Sequence, residues 1–178
     1  MNIVKTFESA LVVFIPAADP LVAPFRKMYD PSAGAGIPAH VTVLYPFVPP
    51  DLLTDELLAT LRQLFLEVTT FNASFAKTMQ FPDGLYLEPM PAEPFRRLTK
   101  LVFKHFPDTP PYGGEFDEII PHLTVAKVES ARRLKTLAAK FQQAAREYLP
   151  IQARVDTVSL VENASGVWQV RAQFALRA

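Results

Sequence analysis

The chain has 178 residues, 18 lysines and arginines against 18 aspartates and glutamates, 49% hydrophobic residues and no cysteine. That length suits one domain, or two small lobes sharing a core, and the balanced charge excludes a protein that tracks long nucleic acid through a general basic excess. The missing cysteines exclude disulfides, thiolate catalysis, iron–sulfur centres and cysteine-ligated zinc together.

The apolar run from Ala10 to Ala18 is interrupted by Pro16 and preceded by Glu8. It is too short to span a bilayer and lacks the basic flank of an export signal, so it reads as a buried strand in a cytoplasmic protein without a membrane partner. Asp19-Pro20 then reads as a cap and first turn, followed by Leu21, Val22, Phe25, Met28 and Tyr29 at helical spacing; Asp30-Pro31 stops that helix. Residues 39 to 47 alternate and are rich in β-branched and aromatic types, a strand closed by Pro46. Thr54 caps a helix with Leu57, Leu58, Leu61, Leu64, Phe65 and Val68 on one face. Phe71 to Gln80 and Leu85 to Glu88 form a hairpin through Pro82-Asp83-Gly84, and Glu93-Pro94 opens a helix that Pro107 ends.

The same order then recurs. A loop from Asp108 to Glu115 leads to a strand around residues 119 to 128, and Ser130 caps a helix with Leu134, Leu137, Ala138, Phe141, Ala145 and Tyr148 inward. Strands over 151 to 161 and 167 to 176 close the chain around Gly166. His40, Thr42 and Val43 stand 82 residues before His122, Thr124 and Val125; Gly84 and Gly166, Ile37 and Ile119, and Tyr86 and Trp168 keep the same offset. The expected architecture is α+β: one bilobal, pseudo-symmetric unit over residues 1–178, with antiparallel sheets lining a central cleft and helices on the outer faces.

Of the three histidines, two begin His-x-Thr within strands, as Ala-His-Val-Thr-Val and Pro-His-Leu-Thr-Val. Positions i and i+2 of a strand share a face, so each imidazole lies beside a hydroxyl while Val41, Val43, Leu123 and Val125 turn inward. Such a cleft suits phosphodiester chemistry. One neutral imidazole takes a proton from the attacking oxygen and the other, protonated, gives one to the leaving oxygen. Thr42 and Thr124 donate to the non-bridging oxygens, and the two histidines titrate as a coupled pair. No metal or other cofactor is required. A metal held by His40, His122 and a carboxylate such as Asp117 is the rival arrangement, weakened by the hydroxyl at the second motif position.

The doubled His-Val-Thr-Val and His-Leu-Thr-Val motifs, with the repeated element order around them, resemble the two-histidine (2H) phosphoesterase superfamily, which includes bacterial 2′-5′ RNA ligases and 2′,3′-cyclic nucleotide phosphodiesterases. The resemblance runs from about residue 10 to residue 176. It implies catalytic roles for His40 and His122, phosphate contacts from Thr42 and Thr124, and action on a nucleotide or RNA-terminal cyclic phosphate or on a 2′-5′ linkage. A non-catalytic module that binds an RNA end or a small phosphorylated ligand is the alternative from another class.

Two further residues are candidates for the substrate side. Arg171, opposite the apolar alternation of the last strand, is placed to meet a phosphate or base, and Tyr112, in the Pro-Pro-Tyr-Gly-Gly loop before the second motif, to stack on a base. By the same alternation Trp168 and Tyr86 read as core. His105 complements the end of its helix, and Arg132, Arg133 and Lys135 form a solvated helix face. A monomer is expected, with a nucleotide or RNA terminus as its partner and no extended nucleic-acid groove.

Overall fold

The computed structural model describes residues 7–178. Among these residues eight strands form a single sheet: β1 Ser9–Phe14, β2 His40–Leu44, β3 Phe71–Phe81, β4 Gly84–Met90, β5 Leu123–Lys127, β6 Ile151–Val155, β7 Thr157–Glu162 and β8 Gln169–Ala175. Five helices accompany them: α1 Asp19–Tyr29, α2 Pro31–Gly34, α3 Asp55–Phe65, α4 Glu93–His105 and α5 Ala131–Ala145. No helix among the described residues is long and apolar enough to cross a membrane.

The strand order is β6-β3-β4-β5-β2-β1-β7-β8, with every neighbouring pair antiparallel. Two four-stranded halves meet where Val41 of β2 pairs Leu123 of β5. The expected two sheets are therefore one α+β sheet with a pseudo-two-fold junction at its centre. Both strands at that junction bury their valines and leucine against the helices, so the join is sealed by core packing as well as by the ladder.

Residues 151 to 161 are not one strand. Asp156 divides them into β6, at one end of the sheet, and β7, one place from the other. A single intervening residue can link opposite ends only if the sheet curls until those ends approach. They do: Arg177, beyond β8, accepts a hydrogen bond from Thr70 and donates to Val68, both next to β3. Sheet twist accumulates over eight strands into this half-barrel.

Helices cover the outer face, and two of them, α1 and α4, cross the junction. α1 lies on β5 of the other half, α4 on β2, α5 on β4 and α3 on β8. The main core fills this layer, with Phe65, Phe75, Phe95, Phe141 and Phe174 fully buried. Thr54 and Ser130 cap α3 and α5, their hydroxyls accepting from Leu57 and Arg133 at 3.2 and 3.4 Å. Asp19 is not a cap: it lies inside α1, and its carboxylate accepts from the backbone of Ala39 at 3.1 Å, fixing the entry to β2. Tyr148 falls beyond the end of α5 and is exposed.

The hairpin glycines share an offset in sequence but not a place in the fold. In the first hairpin the later strand, β4, lies inside against β5; in the second the earlier strand, β7, lies inside against β1. The two-fold therefore holds for the motif strands and breaks at the hairpins.

Candidate active site

His40, Thr42, His122 and Thr124 line one cleft on the face opposite the helices, with a volume of about 430 Å³. That is within the range of about 300–1,000 Å³ typical of small-ligand sites. The pairing of Val41 with Leu123, extended by one residue either way, sets His40 opposite Thr124 and Thr42 opposite His122. The four side chains tile one face, with the histidines on the diagonal, where neighbours in a regular ladder stand about 7–8 Å apart.

Each histidine is latched in the same way. His40 Nδ1 lies 2.7 Å from the carbonyl of Pro38, and His122 Nδ1 lies 2.7 Å from the carbonyl of Ile120. A carbonyl only accepts, so each Nδ1 carries the proton and each Nε2 is left for the cleft. Partial burial penalises the charged forms. His40 is lowered to about 4, chiefly by desolvation and further by Arg26 and His122, against its carbonyl contact and Asp30. His122 is lowered too, by desolvation first and then by Lys127, against the carbonyl of Ile120.

Three β-bulges decide what else reaches the cleft. On β2, Val12 pairs Thr42 and Leu11 pairs Leu44, so Val43 is an extra residue; on β5, Tyr86 pairs Thr124 and Leu85 pairs Ala126, so Val125 is extra. A bulge resets the alternation, and the residues beyond it, Tyr45 and Lys127, fall on the histidine face. They stand 82 residues apart, so the device is duplicated with the motif. The buried hydroxyl of Thr99 on α4 donates to the carbonyl of Val43 at 2.7 Å and so satisfies the first bulge. Strict alternation could not reveal Lys127 or Tyr45.

The third bulge is at Arg171, where Leu160 pairs Ala172 but Val161 pairs Val170. It splits the alternation of the last strand. Phe174 stays on the helix side, while Trp168 turns to the cleft, packed with Ala10, Val12, Ile37, Val161 and Tyr45. Trp168 is thus a cleft residue rather than core, its backbone held by a 2.8 Å bond to the carbonyl of Ala35. Arg171 itself lines a separate hollow with Phe7, Pro49, Asp51 and Glu162, away from the histidines.

Tyr112 does line the cleft. Its φ of 52° begins a left-handed run through Gly113 and Gly114, and its backbone N–H donates to the carbonyl of Tyr45. The ring lies 6.5 Å from that of His122 at 23°, and burial raises its hydroxyl against an opposing contact from Thr42. Tyr86 is buried beside His122, 5.7 Å away, with Phe81 at 5.1 Å. On the other side Tyr45 donates to Glu8 at 3.0 Å and its hydroxyl is pushed up to about 12, by burial first and then by that carboxylate. His105 lies outside the cleft at the end of α4, bonded to Leu101, and Asp117 is likewise absent from the lining.

Two imidazoles with Nε2 toward the cleft, two hydroxyls and one ammonium surround a nucleotide-sized hollow, groups able to exchange protons and to hold an anion. The sequence profile of the 2′-5′ RNA ligase superfamily matches residues 14–166, and the chain belongs to that superfamily. It is 30% identical over 107 residues to a Bacillus pumilus (strain SAFR-032) protein named among the phosphoesterases, a match spanning 58% of this chain and 59% of that relative. The fold is similar to TT0787 of Thermus thermophilus, at 20% identity and a TM-score of 0.62, covering 96% of this chain and 98% of that one. It is also similar to E. coli LigT solved with 3′-AMP, at 14% identity and a TM-score of 0.62, covering 98% of this chain and 100% of LigT.

Proposed function

We propose that this protein is a metal-independent phosphoesterase that opens a 2′,3′-cyclic phosphate on a nucleotide or RNA end, or acts on a 2′-5′ linkage. The reading rests on one observation: two His-x-Thr motifs on adjoining strands, each imidazole presenting Nε2 to a common cleft. Superfamily membership supports phosphoesterase chemistry, and the 3′-AMP held by E. coli LigT supports a nucleotide ligand.

In hydrolysis, His40, lowered to about 4 and so neutral at ordinary pH, is suited to be the base. Its neutral Nε2 takes a proton from water as the water oxygen bonds to phosphorus. The bond from phosphorus to one ribose oxygen breaks, and His122, protonated at Nε2, gives that oxygen its proton. A phosphomonoester and a free hydroxyl result. An anionic phosphate beside His122 favours its protonated form, offsetting desolvation and Lys127. The hydroxyls of Thr42 and Thr124 and the Lys127 ammonium donate to the non-bridging oxygens, where negative charge builds.

The test is turnover of 2′,3′-cyclic mononucleotides in the presence of EDTA. His40→Ala and His122→Ala should each lower kcat about 10²–10⁴-fold, and the limb of the kcat/KM profile near pH 4 should vanish in the first variant. Turnover that survives both changes, or that chelation abolishes, refutes the mechanism. Ligand binding with no turnover across cyclic and 2′-5′ substrates would assign the cleft to a binding module.

A further inference from the structure

A second hollow, of about 770 Å³, adjoins the cleft and shares Asp30, Pro31 and Lys127 with it. It runs between the end of α1 and the start of α5, past Lys27 and Arg133. A third, smaller hollow continues it through Tyr29 and Arg133 to Arg132 and Lys140. The three form a continuous path that begins beside the histidines and leaves over the first turns of α5.

The path is cationic, and its cations are free. Lys27, Lys127, Arg132, Arg133 and Lys140 border it, all exposed. Among the described residues only Arg26 and Arg96 form ion pairs, so none of the five is matched by a carboxylate. Of the acids along the path, Asp30 is neutralised by buried Arg26 at 2.9 Å, leaving Asp83 and Glu129. Zero net charge thus conceals segregation. The fold sets the Arg132 and Arg133 face of α5 beside the basic end of α1, which no local reading of either segment shows.

We infer that this path from Lys127 to Lys140 is a track for the single-stranded RNA that precedes the reacting end, so that an oligonucleotide is preferred to a mononucleotide. The inference rests on the proposed activity and deepens it. A groove of unpaired cations leading out of a phosphate site offers a strand a succession of phosphate contacts, whereas one small cyclic phosphate would occupy the cleft alone. It also revises the expectation that no extended groove exists.

The experiment compares a 2′,3′-cyclic mononucleotide with a ten-nucleotide single-stranded RNA ending in the same cyclic phosphate. The wild type should favour the RNA at least tenfold in kcat/KM. The double variant Lys27→Glu, Arg133→Glu should lose that preference while its mononucleotide turnover, which also reports folding, stays unchanged. Neutralising the same two side chains to alanine should flatten the salt dependence for RNA by about 1.4 in log–log slope, about 0.7 for each phosphate no longer neutralised. Equal use of both substrates by the wild type, or an undiminished preference in the variants, overturns the track. Should neither substrate turn over, the activity fails separately: anisotropy of the labelled RNA with a 3′-phosphate end then decides, since the track requires binding that weakens in the double variant.

Discussion

The two motif copies are alike in backbone and unlike in charge. Both latch Nδ1 to the carbonyl two residues back, both place a threonine beside the imidazole, and both carry an extra valine that turns the residue five places after the histidine to the cleft. That residue is Tyr45 in the first copy and Lys127 in the second. On the first copy's side the wall is built mainly from Ala10, Val12, Ile37 and Trp168, with Tyr45 tied to Glu8 and Asp30 paired to the buried Arg26. Around His122 it is aromatic, with an exposed ammonium at the rim. Under the proposed activity the duplicated scaffold supplies the acid–base pair, and its two unlike walls divide a phosphate-holding side at Lys127 from a more apolar side for the nucleoside.

The strongest way to break this comparison is to remove the charge that distinguishes the halves. Lys127→Met should lower kcat/KM for a cyclic mononucleotide about 10–100-fold, as expected for one charge-assisted hydrogen bond of about 1.5–3 kcal/mol. Tyr45→Phe, at the equivalent place, removes only the bond to Glu8 and should cost less than about tenfold. Equal losses in the two variants would mean that the halves are functionally equivalent after all. A milder change tests what they share. Thr42→Val and Thr124→Val should each reduce kcat/KM by about 2–10-fold, the worth of a neutral hydrogen bond, with the Thr124 variant affected more because Lys127 strengthens the field on that side. Steady-state kinetics on the purified variants measures both.

Much of this is legible in the chain, for physical reasons that also explain the misses. The helices announce themselves through apolar stripes and the Thr54 and Ser130 caps, and the motif strands through alternation about His40 and His122. What escapes is whatever depends on a bulge or on closure. One extra residue inverts the facing of everything after it, so Trp168 reads as core and Arg171 as a cleft residue until the bulge is seen, and Lys127 gives no sign at all. The break at Asp156 leaves only a slight signal, a change of phase from Ile151, Ala153 and Val155 to Val158 and Leu160, at the point where the chain changes position in the sheet. Tyr112 is legible through its glycine neighbours, which accommodate the left-handed run of its loop.

The smallest effect concerns stability, and its sign distinguishes a strained site from a neutral scaffold. Both histidines have folded-state values below the ordinary 6.5, His40 at about 4, because burial opposes their charge more than the carbonyl contacts favour it. Between pH 6.5 and about 4 the unfolded chain therefore binds more protons than the folded one at these positions. Stability from this source is fully present above pH 6.5 and is lost as pH falls through that window. Thermal melts between pH 7 and 5, above most of the carboxylate range, should show Tm falling in the wild type by a few degrees, where about 1 kcal/mol corresponds to about 2–4 °C in a chain of this size. The double variant His40→Gln, His122→Gln should have a visibly flatter profile. A profile as steep as that of the wild type would place the cost of the cleft elsewhere. The flatter outcome would mean that the protein holds two uncharged imidazoles ready at the expense of acid stability, and that phosphate, by favouring a proton on His122, should recover part of the loss.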